Sequence, residues 1–116
     1  MHRMHLNNLS FTQIKSGRKT TEIRLNDEKR QTIKPGDTIE FTNLKNNEKL
    51  QTKVTTLSTA PDFATLYKIT DYTKAGWEPD TTQQEYITFI EQFYPKSEQK
   101  KHGVLEINLE LIRQPL

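Results

Sequence analysis

Lys19, Glu22 and Arg24 bring an ammonium, a carboxylate and a guanidinium together within six positions of the chain. Arginine offers a planar fork of N–H donors that suits a phosphate or a base edge. A lysine with a lowered pKa acts as a base or activates a nucleophile, and a glutamate accepts donors from a base or takes a proton from water. The stretch that holds them, SGRKTTEIRL (residues 16–25), reads as a β-strand from Thr20 to Leu25. Strand side chains alternate between faces. Thr21, Ile23 and Leu25 therefore share an apolar face, while Thr20, Glu22 and Arg24 share the opposite one. Lys19 stands just before the strand, where the backbone leaves a helix.

Two readings of this polar row stay open on pattern alone. On the solvated face of an edge strand, its charges would discourage edge-to-edge pairing, and a Glu22–Arg24 pair would contribute only ~0–1 kcal/mol. In a cleft the same charges would be desolvated, and an unpaired one would cost several kcal/mol. A ligand can offset such a cost.

Other candidates carry less chemistry. Trp77 follows Ala75-Gly76 in a loop-like stretch, where it either stacks on a base or plugs the core. Arg18, Lys29, Arg30 and Lys34 form either a phosphate-facing rim or a scattered charged surface. His2 and His5 would point to opposite faces of a strand, and His102 is the only other histidine. No metal site and no cofactor are expected.

The elements that position these residues follow from periodicity and turn chemistry. Residues 2–6 form a short first strand. A helix comes next, capped by Asn8 or Ser10, with Phe11 and Ile14 on one face and Gly17 closing it in the left-handed conformation. Pro35-Gly36-Asp37 turns into a strand carrying Ile39 and Phe41 on one face. A hairpin around Asn46-Asn47 returns through a Thr-rich strand near residues 50–57. Phe63, Leu66 and Ile69 mark a short helix after Pro61. The strongest helix follows Asp80: Thr82 and Glu85 have capping-box spacing, Tyr86, Phe89, Ile90 and Phe93 make its apolar stripe, and Pro95 ends it. EQKKHG (residues 98–103) reads as a solvated loop. In the last strand Leu105, Ile107, Leu109 and Leu111 face in, with Glu106, Asn108 and Glu110 facing out. Strand, helix, several strands, two helices and a strand argue for a mostly antiparallel sheet or small barrel with helices outside.

Composition narrows the function classes. At 116 residues the chain fits one domain. Hydrophobic residues make up 32% and charged residues 28%, so the core is small and the surface highly charged. Cysteine is absent, which excludes disulfides and thiolate metal sites. Lysine plus arginine number 17 against 15 acidic residues, a net charge of +2, well short of the basic excess that marks nucleic-acid binding by itself. There is no apolar run of the ~18 residues a membrane span needs. The opening MHRMHLNNLS lacks the apolar region of a secretory signal, so a soluble cytoplasmic protein is expected.

Residues 11–41, FTQIKSGRKTTEIRLNDEKRQTIKPGDTIEF, resemble the signature of ASCH domains. The helix closed by Gly17, then Lys19-Thr20-x-Glu22-x-Arg24, then Gly36-Asp37 before a strand occur in that family's order. The ending HGVLEINLELI is similar to its closing strand, and residues 70–100 match in kind only. The resemblance implies a single α+β domain over residues 1–116, a PUA-like, mostly antiparallel β-barrel with helices packed outside and a cleft between barrel and helices. It also implies association with RNA and places Lys19, Glu22 and Arg24 at cleft-lining positions. One branch of the family contains amidohydrolases that deacetylate acetylcytidine with a lysine, a threonine nucleophile and a glutamate. Lys19 matches that lysine, Glu22 occupies the threonine position, and the glutamate falls near Glu78.

The expected function is binding of RNA or a nucleotide-like ligand by Lys19, Thr20, Glu22, Arg24, Arg18 and Trp77. The alternatives are a metal-independent hydrolase acting on RNA or a modified nucleoside through Lys19 and Glu22, and a non-catalytic protein-interaction module.

Overall fold

The local signals in the sequence set most of the element boundaries in the computed structural model, which describes residues 1–112. Strand β1 (His2–Leu6) leads into helix α1 (Asn8–Ser16). The cap is neither Asn8 nor Ser10 but the preceding Asn7, which accepts a hydrogen bond from the Ser10 N–H at 2.8 Å. Gly17 closes the helix at φ 86° and donates its N–H to the Ile14 carbonyl. Phe11 and Ile14 are buried as their spacing requires.

Strand β2 (Thr21–Leu25) follows, then β3 (Thr38–Asn43) and the long β4 (Lys49–Ala60). Asn47, at φ 61°, makes the hairpin turn between the last two. Helices α2 (Phe63–Ile69), α3 (Gln83–Ile90) and α4 (Lys96–His102) precede the final strand β5 (Val104–Leu111). None of the described helices is long and apolar enough to cross a membrane.

The five strands form one sheet in the order β1-β3-β4-β5-β2. Every pairing is antiparallel except β1 with β3. The sheet curves into a half-barrel whose concave side holds Met4, Leu6, Ile39, Phe41, Leu105 and Ile107, closed over by Phe11 and Ile14 of α1. Because β1 and β2 are the two edges, the gap of the half-barrel lies between them.

Four expectations are corrected. EQKKHG is not a loop but lies mostly within α4. Its Glu98 sits in the first turn and its Lys100, Lys101 and His102 in the last, which suits the helix dipole. Only Gln99 is buried there, so the pattern shows almost no apolar face. The chain consequently has three helices, not two, between β4 and β5.

The outer side of β5 is also not simply solvated. At Glu106 the helical layer covers it: Glu106 is buried and accepts a hydrogen bond from Thr70, while the half-buried Asn108 bonds Thr21 and Thr56 of the flanking strands. That layer has its own core of Ile23, Phe63, Leu66, Tyr86, Ile90 and Val104. Tyr86 belongs to it as a neutral phenol, its pKa pushed up by burial and by the nearby Glu106 charge.

Finally, the apolar residues of the helices do not all face inward. Ile69 is exposed at the end of α2. The α3 stripe divides, with Tyr86 and Ile90 buried and Phe89 and Phe93 left open. The capping box at Thr82 and Glu85 forms as expected.

Candidate ligand cleft

The register of β2 decides what its polar side chains meet. Glu22 stands opposite Ile107 and Arg24 opposite Leu105, so both point to the concave side of the half-barrel. Thr21 and Ile23 stand opposite Asn108 and Glu106 and point to the helical layer. Neither face of this edge strand is simply solvated. Thr21 donates its hydroxyl hydrogen to Asn108 Oδ1 at 2.7 Å, which pins the outer face.

Lys19 precedes the strand and reaches the same spot by another route. Its N–H donates to the Gln13 carbonyl, and the N–H groups of Thr20 and Thr21 both donate to the Lys74 carbonyl. With the backbone held this way, the side chain folds back beneath α1. Lys19 Nζ lies 3.1 Å from Glu22 Oε1 and 3.4 Å from Ser10 Oγ. Glu22 Oε1 also accepts the Ile23 N–H, and Glu22 Oε2 accepts from Arg24 Nη2 at 3.3 Å. Arg24 Nη2 continues across the barrel gap to the His5 carbonyl at 2.9 Å. That carbonyl is available because β1 is an edge strand.

Lys19 is 6% exposed and Glu22 5% exposed, so this is a buried ion cluster with Arg24 at its wetter end. Burial alone would raise the Glu22 carboxyl pKa. The charges of Lys19 and Arg24, with the hydrogen bonds from Lys19 and Ile23, outweigh that and hold it below its ordinary 4.5. Glu22 is therefore ionised at neutral pH. Two cations share one carboxylate, which leaves one positive charge in surplus.

Above this cluster lie two adjoining cavities of about 250 and 350 Å³ that share Asn7, Ser10, Glu22, Trp77 and Phe89 in their walls. The wall on one side is α1. The other is aromatic: Trp77 packs edge-on against Tyr86 and Phe89, with ring centroids 5.1 and 5.2 Å away, and Phe93 adjoins Phe89. The loop that carries Trp77 is fixed by Gly76. Its φ of +95° lies in the left-handed region that favours glycine, and Gln13 Nε2 of α1 donates to its carbonyl at 3.3 Å.

The structure thus brings Lys19, Glu22, Arg24 and Trp77 to one cleft. It does not bring Thr20 or Arg18 there. Thr20 is exposed outside the lining, because the strand begins at Thr21 and alternation does not extend back to it. Arg18 is exposed and pairs with Glu78 at 2.7 Å, and neither residue lines the cleft. Sequence reasoning missed Ser10, Phe89 and Phe93 as lining residues. Ser10 read as a cap, and the two phenylalanines read as core. Among the described residues no three histidine, aspartate or glutamate side chains converge as a metal site would require.

Comparison with solved structures places this arrangement among known folds. A crystal structure of the hypothetical protein PH0355 is 32% identical, with a TM-score of 0.83, covering 95% of this chain and 97% of that one. The solution structure of protein PF0455 from Pyrococcus furiosus is 29% identical, with a TM-score of 0.76 and coverage of 97% and 98%. ASCH from Zymomonas mobilis shares the fold at 16% identity and a TM-score of 0.64, over 93% of this chain and 65% of that one. No curated protein matches the sequence significantly. The family model of the ASCH domain matches residues 4–113, nearly the whole chain, and with the PUA-like half-barrel described above it shows that this chain belongs to the ASCH domain family.

Proposed function

We propose that this domain binds RNA, or a nucleotide-like ligand carrying phosphate, in the cleft over Lys19, Glu22 and Arg24. The observation that carries this reading is the surplus positive charge on a buried floor that opens into a cavity. A charge held there without a full counter-charge is costly, and an anionic ligand offsets it. Arg24 has donors left for the purpose: among the described residues its hydrogen bonds run through Nη2 alone. The remaining N–H groups of the guanidinium suit the paired oxygens of a phosphate. Membership of a family associated with RNA binding supports the same reading.

One observation favours hydrolysis as a second reading, the Ser10 hydroxyl 3.4 Å from the Lys19 ammonium. Against it, a glutamate held below the ordinary carboxylate range is a weak proton acceptor, and Glu22 already accepts from Lys19, Ile23 and Arg24.

The test is a titration of labelled single-stranded RNA into wild type, Lys19→Ala and Arg24→Ala at low and physiological salt, with circular dichroism to verify folding. Arg24→Ala is expected to weaken binding about tenfold, in the range for loss of a charge-assisted contact. Recovered RNA is expected intact. Binding that vanishes at physiological salt and ignores both substitutions would overturn the proposal. Shortened RNA would favour the hydrolytic reading.

A further inference from the structure

The aromatic wall of the cleft points to the form of nucleic acid the site takes. Core packing does not account for Phe89 and Phe93, which are 49% and 62% exposed while Tyr86 and Ile90 satisfy the helical layer. Both phenylalanines line the same 250 Å³ cavity as Arg24 and Trp77. Trp77, Phe89 and Phe93 form a continuous row, with ring centroids 5.2 and 5.4 Å apart and planes crossing at 83° and 57°. Rings so crossed do not stack on one another, and the exposed parts of Phe89 and Phe93 are accessible to a planar ligand.

We infer that this row is a base-stacking ledge, so that the site selects single-stranded RNA over duplex RNA and over free mononucleotides. The inference rests on the reading of the cleft as a nucleic-acid site. Bases in a duplex are already stacked, and the A-form major groove is too deep and narrow for side chains to read. Cavities of about 250 and 350 Å³ admit a base with its phosphate but not a helix. The chain's net charge of +2 is also too small for duplex binding by charge alone. A single strand meets both parts of the site, with phosphate on the Arg24 end of the cationic floor and successive bases on the ledge. A mononucleotide occupies only one stacking position and loses the rest. The ledge's apolar rings adjoin a cationic floor, and that combination fits a polyanion with flat apolar faces better than a second copy of this chain.

Trp77 is the only tryptophan in the chain and reports on the ledge directly. The experiment titrates wild type, Phe89→Ala, Phe93→Ala and Arg24→Ala with a short single-stranded RNA, the same sequence as a blunt duplex, and a nucleoside monophosphate. It reads Trp77 fluorescence and RNA anisotropy, with sedimentation to follow oligomeric state. Single-stranded RNA is expected to quench Trp77, and each phenylalanine substitution to weaken its binding about tenfold, within the range for removing one stacking partner. Duplex binding is expected to be weak and unchanged by either substitution.

Equal affinity for duplex and single strand would overturn the inference. So would phenylalanine variants that bind single strands as wild type does. If Arg24→Ala still weakens binding in that case, the cleft remains the ligand site and only the ledge is lost. If Arg24→Ala is also silent, both readings fail. A wild-type dimer that the phenylalanine substitutions convert to monomer without changing RNA binding would make the ledge a self-association face, which also overturns the inference.

Discussion

Two concavities among the described residues are built on opposite principles. The larger, about 760 Å³, lies among α2, α3 and α4 and is lined by Asp62, Glu91, Lys96 and Lys100. Its acids and bases balance. Its one buried polar side chain, Gln99, is occupied within the protein, accepting from the Phe63 N–H and donating to the Tyr94 carbonyl and Glu91. The cleft over β2 is smaller, but its floor is a buried ion cluster with unequal charges. Volume measures how loosely the helices meet. A desolvated charge in surplus carries a cost that volume does not, and the proposed ligand offsets it.

The sharpest way to break this contrast is to remove its central residue on each side. Glu22→Ala strands Lys19 and Arg24 without a counter-charge and is expected to lower unfolding free energy by about 3–5 kcal/mol. Gln99→Ala leaves the Phe63 N–H unsatisfied and is expected to cost about 1–3 kcal/mol. Urea unfolding of both variants measures the difference. Equal losses would show that the cluster is no more demanding than an ordinary buried amide.

Acid titration of stability sharpens the same point. The Glu22 carboxyl lies below 4.5 in the folded chain and returns to about that value when unfolded. Its contribution is thus complete above 4.5 and is lost as pH falls through the folded value. Wild type is expected to lose stability more steeply than Glu22→Gln in that window. Asp37, Asp62 and Asp71, whose pKa values are also lowered, are common to both chains and cancel in the comparison. Parallel curves would mean that Lys19 and Arg24 do not hold Glu22 in its ionised form.

The smallest effect is expected in the larger cavity. Lys96→Ala and Lys100→Ala should each change RNA affinity by less than about twofold at physiological salt, where distant surface charges are screened. A loss as great as that from Arg24→Ala would move the binding site to the helical side.

Much of the cleft was legible because β2 obeys alternation. Glu22 and Arg24 share a face for that reason, and Gly17 marks where the chain must turn to present them. Lys19 was different. It lies outside the strand, so its place depends on backbone bonds to Gln13 and to the loop at Lys74, which no spacing rule encodes. Phe89 and Phe93 misled for a related reason: an apolar stripe shows which residues share a helix face, not how much of that face a neighbour covers. Glu106 shows the converse, since alternation puts it opposite Leu105 and Ile107 but cannot foresee helices over both sides of the sheet. In α4 the charges that read as loop were a helix's solvent side.

Strand β2 hydrogen-bonds within the sheet only to β5, pairing Thr21 with Asn108. The two are 87 positions apart, so this pairing closes the largest loop in the sheet, and contacts of that separation form late in folding. Before β5 docks, Glu22 and Arg24 have no strand to lie against, and the buried floor that they form beside Leu105 and Ile107 is missing. The cleft is therefore a kinetic marker: a chain caught short of its last strand can already have its β3–β4 hairpin and α1, yet lacks the finished floor of the cleft.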